Sequence, residues 1–220
     1  MAWLARVVAI FSLLAGFFSV ASAEVKSTTV LQYELKDGKM QMTSGQRTVT
    51  TFSPERTEAI VYALDETGEK PLSRTVTLNA QNDKERVTVV SVEQYRNKEF
   101  VLTGRTTTVS RAGITETLVE ALVEDRIVPV QRIIQTASTS PGVVDMMTMR
   151  EERIDGSLRP TREERVVRID YQQLASSRLP DGLQLDQVPL ARRGVQTVTL
   201  IKTLVDGSLK LISARSQVDE

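Results

Sequence analysis

The sequence predicts an all-β fold, an antiparallel meander of long strands built from hairpin repeats of roughly 30 residues, forming either an open twisted sheet or a sandwich or half-barrel. Three observations carry this expectation. Turn-forming pairs recur at a nearly fixed interval, the segments between them alternate apolar with polar residues, and those segments are rich in Thr and Val.

The turn pairs are Asp37-Gly38, Thr67-Gly68, Asn97-Lys98, Asp125-Arg126 and Asp155-Gly156, separated by 30, 30, 28 and 30 residues. The register then loosens through Pro180-Asp181-Gly182 and Asp206-Gly207. Asp-Gly suits a two-residue type I′ turn, in which both central residues need positive φ. A second set of turn signals lies between these: Ser53-Pro54-Glu55, Asn79 to Asp83, Arg111-Ala112-Gly113 and Thr139 to Gly142. Each period therefore holds two strands.

Residues 1–23, MAWLARVVAIFSLLAGFFSVASA, read as a signal peptide: a charge at Arg6, an apolar run from Val7 to Val20, and small residues at Ala21-Ser22-Ala23. The mature chain is expected to begin at Glu24 and to work in the periplasm, outside the cell or on its surface. Residues 24–170 form the repetitive region. In LQYELKDGKMQM, Leu31, Tyr33 and Leu35 share one parity, and Met40 and Met42 continue the alternation across the turn. RTVTL (74–78), RTTTV (105–109) and QTVTLI (196–201) carry β-branched residues that fit a pleated surface. The strand faces are modestly apolar on one side and polar on the other.

A finer motif recurs in KPLSR (70–74), VPVQR (128–132) and VPLAR (188–192), with RPTR (159–162) a residue shorter. Proline lacks the ladder donor, so these positions are expected at an edge, a strand start or a bulge. Arg74 and Arg132 fall in apolar rows. Each either pairs with a carboxylate on a neighbouring strand or belongs to a ligand-binding stripe, and structural pairing is the expectation because Glu is equally abundant. Residues 150–169 are the most charged stretch and read as a hairpin with facing Glu and Arg. Residues 171–187 break the pattern. YQQLASSRL has the composition of a short helix ended by Pro180, or of an irregular link that caps or folds over the sheet. Residues 188–220 restore strands as a C-terminal hairpin completing the same domain.

The chain contains no His and no Cys, which excludes thiol or Ser-His-Asp catalysis, ordinary zinc sites and disulfide staples. No phosphate-binding glycine motif occurs. Charge is balanced at 28 basic and 28 acidic residues, giving no pull toward nucleic acid. Beyond the leader no apolar run approaches the roughly 20 residues of a spanning helix. The four Tyr and two Phe that remain do not supply the aromatic girdles of a membrane barrel. Among carboxylates, Glu116, Glu120 and Glu124 share a strand parity, with Glu93 on another segment. Asp65-Glu66 and Asp83 with Glu85 are the nearest approach to a calcium cluster, and all of these read as surface decoration. Ser138 to Ser140 is a polar turn. No catalytic, cofactor-binding or metal-binding residue emerges.

The functional expectations are three. The first is a non-enzymatic envelope or surface protein that joins a protein partner, or another copy of itself, through a sheet edge or apolar face. The second is a periplasmic carrier holding an apolar or lipid ligand in a curved sheet lined by Val119, Leu122, Ile127 and Ile133. The third is a hydrolase using two carboxylates.

Overall fold

The computed structural model describes residues 9–12, 23–36, 39–65, 67–174, 191 and 193–219. Its strands follow the turn signals: β1 (Ala9–Ser12), β2 (Glu24–Lys36), β3 (Lys39–Phe52), β4 (Arg56–Asp65), β5 (Gly68–Gln81), β6 (Glu85–Arg96), β7 (Glu99–Arg111), β8 (Ile114–Val123), β9 (Arg126–Ser140), β10 (Val143–Ile154), β11 (Ser157–Asp170), β12 (Val195–Val205) and β13 (Ser208–Asp219). Their order in the sheet is their order in the chain, and no described pairing joins β13 back to β2. The antiparallel meander expected from the sequence is the fold observed, in its open form.

The period turns adopt the backbone that their residues favour. Asp155 and Gly156 have φ of 50° and 84°, and Asp206 and Gly207 have 50° and 79°. Asn97 and Lys98 make the same turn without glycine, at 51° and 71°. Two turn frames differ by one residue from the sequence expectation. Glu124 and Asp125 carry the positive φ values, so Arg126 already belongs to β9. Gly68 pairs with Asp65, so it opens β5 rather than turning the chain. In both cases, pairing of the flanking residues outranks the turn preference of a single residue. Asp37-Gly38 and Pro180-Asp181-Gly182 lie outside the described residues.

Bulges recur at a fixed place in these hairpins. The register shifts at Gln32/Tyr33, Val61/Tyr62, Arg150/Glu151 and Ile201/Lys202, leaving Thr43, Leu72, Thr161 and Ile212 as the extra residues on the returning strands. Thr43 and Thr161 donate their hydroxyls to the carbonyls of Gln32 and Arg150, each at 3.3 Å, and Thr103 does the same to Val92 at 3.1 Å. Pro71 and Pro160 sit beside bulged residues on strands with neighbours on both sides. The missing proline donor is thus accommodated where the ladder is already interrupted, and the bulge adds local twist. Pro189 lies outside the described residues.

The strands also reveal a longer repeat than the turn spacing. β4 begins at Arg56 and ends at Asp65, and β8 begins at Ile114 and ends at Val123, each shifted by 58 residues. The same shift carries β6 (Glu85–Arg96) onto β10 (Val143–Ile154). The structural unit is therefore four strands, two turn periods long.

The chain forms two compact units: Met1–Ala80 with Thr88–Thr106 and Ala121–Ile127, and Gln81–Val87 with Thr107–Glu120 and Val128–Glu220. In the first, Thr57 to Leu64 of β4 are half-buried at both parities. A face packed on a second layer would bury one parity fully, so these side chains are covered by their lateral neighbours alone. Val76 is the buried hydrophobic residue there.

The second unit contains the core. Val143, Val167, Ile169 and Val198 are buried, with Tyr171, Leu174 and Leu200 packed against them. Tyr171 and Leu174, just after β11, help to bury them. The Tyr171 amide donates to Gly194 O, and the Tyr171 hydroxyl donates to Gln196 Oε1 at 2.7 Å. The Ala191 amide donates to the same oxygen at 2.9 Å, and Gln196 Nε2 donates to Ser216 Oγ. Gln196, fully buried, thus ties β12 and β13 to the covering segment. Burial raises the Tyr171 pKa above its ordinary value of 10.0. Where a helix is one expectation for residues 171–179, residues 171–173 form a turn and residues 175–190 lie outside the described residues.

Gly142 shows how tight this cover is. Its φ is +78°, and a Cβ there would stand 2.6 Å from the Leu174 amide nitrogen and 2.8 Å from Asp170 O. Gly207 has nearly the same φ, +79°, with nothing within 4 Å. Both Gly→Ala variants carry the strain of positive φ, about 1 kcal/mol or more. Urea unfolding is expected to show Gly142→Ala losing clearly more stability than Gly207→Ala. Equal losses would mean that the 170–174 turn does not press on Gly142.

Candidate functional site: charged ladders and strand edges

Two guanidinium groups each bridge carboxylates on both neighbouring strands. Arg74 of β5 lies 2.5 Å from Glu93 of β6 and 3.7 Å from Glu58 of β4, and its guanidinium carbon is 4.7 Å from the centre of the Phe100 ring. Arg132 of β9 lies 2.8 Å from Glu116 of β8 and 3.6 Å from Glu151 of β10. Each of the three positions in the second triad is 58 residues beyond its counterpart in the first. The hydrogen bond to Glu116 raises the Arg132 pKa. Two further ties continue in β10–β12: Arg165 grips Asp145 with two bonds of 3.0 and 2.6 Å, and Lys202 reaches Glu163 at 2.7 Å. The two arginines raised as a possible ligand stripe are thus engaged in cross-strand pairing. Half-exposed pairs of this kind contribute roughly 0.2–1 kcal/mol each, enough to favour one register without making a core.

The carboxylates considered for hydrolysis are dispersed. Glu93 and Glu116 are held by different arginines, and Glu124 sits in a turn. Glu120 lies on β8 with Glu116. Asp83 lies in the β5–β6 turn region, and Glu85 contacts Arg111 at 3.2 Å. Ser138 and Ser140 are strand residues of β9 rather than a loop, because the turn tightens to Pro141-Gly142. Among the described residues no group of three or more acidic side chains could hold a metal ion. Glu66 lies outside the described residues.

Asp65 organises the turn at the end of β4. It accepts hydrogen bonds from the Thr67 amide at 2.7 Å, from the Thr67 hydroxyl, and from Lys70 Nζ at 2.9 Å. These bonds, the Thr67 hydroxyl foremost, lower its pKa from 3.8 to about 2.

The apolar residues expected to line a cup do not converge. Val119 and Leu122 lie three apart on β8, so their side chains leave opposite faces. A depression of about 510 Å³ exists elsewhere, lined by Val30, Gln32, Thr43, Ser44, Gly45, Gln46, Ala63, Leu64 and Asp65. Its lining mixes polar and apolar groups and opens at the bulge of the β2–β3 hairpin.

The strands at the two ends of the hairpin series have the shortest described pairing on one side. β13 pairs with β12 from Ser208 to Asp219 and has no other sheet neighbour among the described residues. β2 pairs with β3 along its length, but with β1 only through Thr28 to Leu31. Neither edge strand contains proline, whereas β5, β9 and β11 do. The usual proline block against strand addition is absent where an edge is open.

The folded Asp65 carboxyl, titrated by carbon NMR, is expected to show a midpoint of about 2, and Thr67→Ala should move it toward 3.8. Because the folded value is depressed, its stabilising contribution is complete above the unfolded value and is lost as pH falls through about 2. An unchanged midpoint in Thr67→Ala would remove the assigned cause. Compared with protein-family models, curated proteins and solved structures, the chain has no match.

Proposed function

We propose that this chain is an exported, non-enzymatic envelope or surface protein that acts by β-sheet-mediated assembly. The leader-like residues 1–23 direct export, and the mature chain contributes a strand edge to a protein partner. The observation that supports this most is the pairing of the long strands β2 and β13: among the described residues β13 pairs only with β12, and β2 meets β1 only through Thr28 to Leu31. Main-chain hydrogen bonds provide affinity in such an addition, and alternating side chains select the partner strand. The internal charge ladders act within the sheet instead, satisfying their own partners and holding the interior strands in register.

Fractionation of bacteria expressing the full chain tests this reading. The expected result is a product starting at Glu24, found outside the cytoplasm in a complex larger than one chain. An unprocessed, monomeric product in the cytosol would contradict it.

A further inference from the structure

The two open edges belong to hairpins of the same type. In β10–β11 the register shifts between the residues five and four before the turn residue Asp155, and in β12–β13 between those five and four before Asp206. In β2–β3 the shift falls at Gln32/Tyr33, the same distance before Asp37. Superposing the turns therefore places β13 on β11, shifted by 51 residues, and β2 on β12, shifted by 169. The molecule already contains a junction between such strands, the pairing of β11 with β12.

We infer that the partner of the open β13 edge is the β2 edge of a second copy, joined in the register of the β11–β12 pairing. This rests on the reading of the chain as an exported strand-adding protein, and it names the partner. Twelve strands run from β2 to β13, so a second copy added in the same orientation continues the antiparallel alternation. The observed pairs Glu163–Lys202, Arg165–Leu200 and Val167–Val198 become Ala214 opposite Tyr33, Ser216 opposite Leu31, and Val218 opposite Thr29. On this face Ala214 and Ser216 of β13 meet the larger Tyr33 and Leu31 of β2, and Val218 meets Thr29, a residue of similar size. On the other face Arg215 falls opposite Gln32 and diagonal to Glu34, and Asp219 falls opposite Thr28 and diagonal to Lys26. Both diagonals join opposite charges, a favourable arrangement across antiparallel strands.

The β2 edge accepts a strand in the structure itself. β1 lies antiparallel along Thr28 to Leu31, the stretch that Asp219 to Ser216 of the second copy would take. Joining therefore follows removal of the leader. The contact is heterologous, so copies add head to tail.

The chain contains no cysteine, so introduced thiols report without background. Residues 24–220, which retain every strand from β2 to β13, are prepared as Ala214→Cys, Tyr33→Cys and Thr29→Cys variants, with strand content checked by circular dichroism. Opposed residues of antiparallel strands meet the Cα separation that a disulfide needs, whereas four residues of slip displace them by roughly 13 Å. Mixed Ala214→Cys and Tyr33→Cys chains are expected, on mild oxidation, to give a cross-linked dimer at least about tenfold more abundant than Ala214→Cys with Thr29→Cys. Neither variant alone should form that dimer. An Ala214→Cys homodimer as the main product would overturn the head-to-tail junction while leaving edge assembly intact. Cross-linking no stronger than the Thr29 mixture would overturn this choice of partner, and the fractionation result would then decide whether a different protein occupies the edge.

Discussion

The lateral hydrogen-bond ladder between consecutive strands is the interaction on which this fold depends. In β4 no residue between Thr57 and Leu64 is fully buried at either parity, so apolar packing against a second layer does not organise that part of the sheet. Cross-strand neighbours supply the cover instead, through many contributions of roughly 0.2–1 kcal/mol. This explains the composition. A chain without a thick core needs few large aromatics, and Arg or Glu can stand within a strand face because its charged end reaches water without a large desolvation cost.

Bulges and charge pairs solve different problems created by that arrangement. A long ladder of similar strands can slip, and a slip of one residue turns every side chain to the opposite face. The Glu58–Arg74–Glu93 and Glu116–Arg132–Glu151 bridges each tie three strands and therefore oppose slippage on both sides of the central strand. The bulges at Thr43, Leu72, Thr161 and Ile212 reset parity at one place in the hairpin, and they bend the strands out of the flat form that favours indiscriminate stacking. Chain order does the rest: each strand pairs with its predecessor, so the sheet is built from contacts between consecutive strands.

Much of this organisation is legible in the residues. Asp155-Gly156 and Asp206-Gly207 mark positive-φ turns, and alternation exposes the strands. The Pro-x-x-Arg recurrence points to both the interrupted ladder and the paired arginines. What the turn spacing conceals is the four-strand unit, because successive hairpins have similar turns; the 58-residue shift becomes plain only when Glu, Arg and Glu are seen on neighbouring strands. The turn frame at Asp125 differs from expectation because strand pairing places Glu124 and Asp125 at positive φ, whereas Gly68 keeps a positive φ of 119° but pairs with Asp65 and opens β5. Gln196 carries no signal at all. It lies in a Thr- and Val-rich strand like several others, and it is buried only because residues elsewhere in the chain, Tyr171 and Ala191, come to rest on it. The end strands are legible as a consequence of the meander, in which chain order sets sheet order.

The buried cluster of Val143, Val167, Ile169 and Val198 lies where Tyr171 and Leu174 pack against β10, β11 and β12. Residue-resolved hydrogen exchange on the native chain tests this most directly. The slowest amides are expected around Val167, Ile169 and Val198, with those of β4 and β5 exchanging through easier local openings. Equal or greater protection in β4 and β5 would contradict this distribution of stability, because it would require a stabilising layer or cooperative core there that lateral pairing alone does not provide.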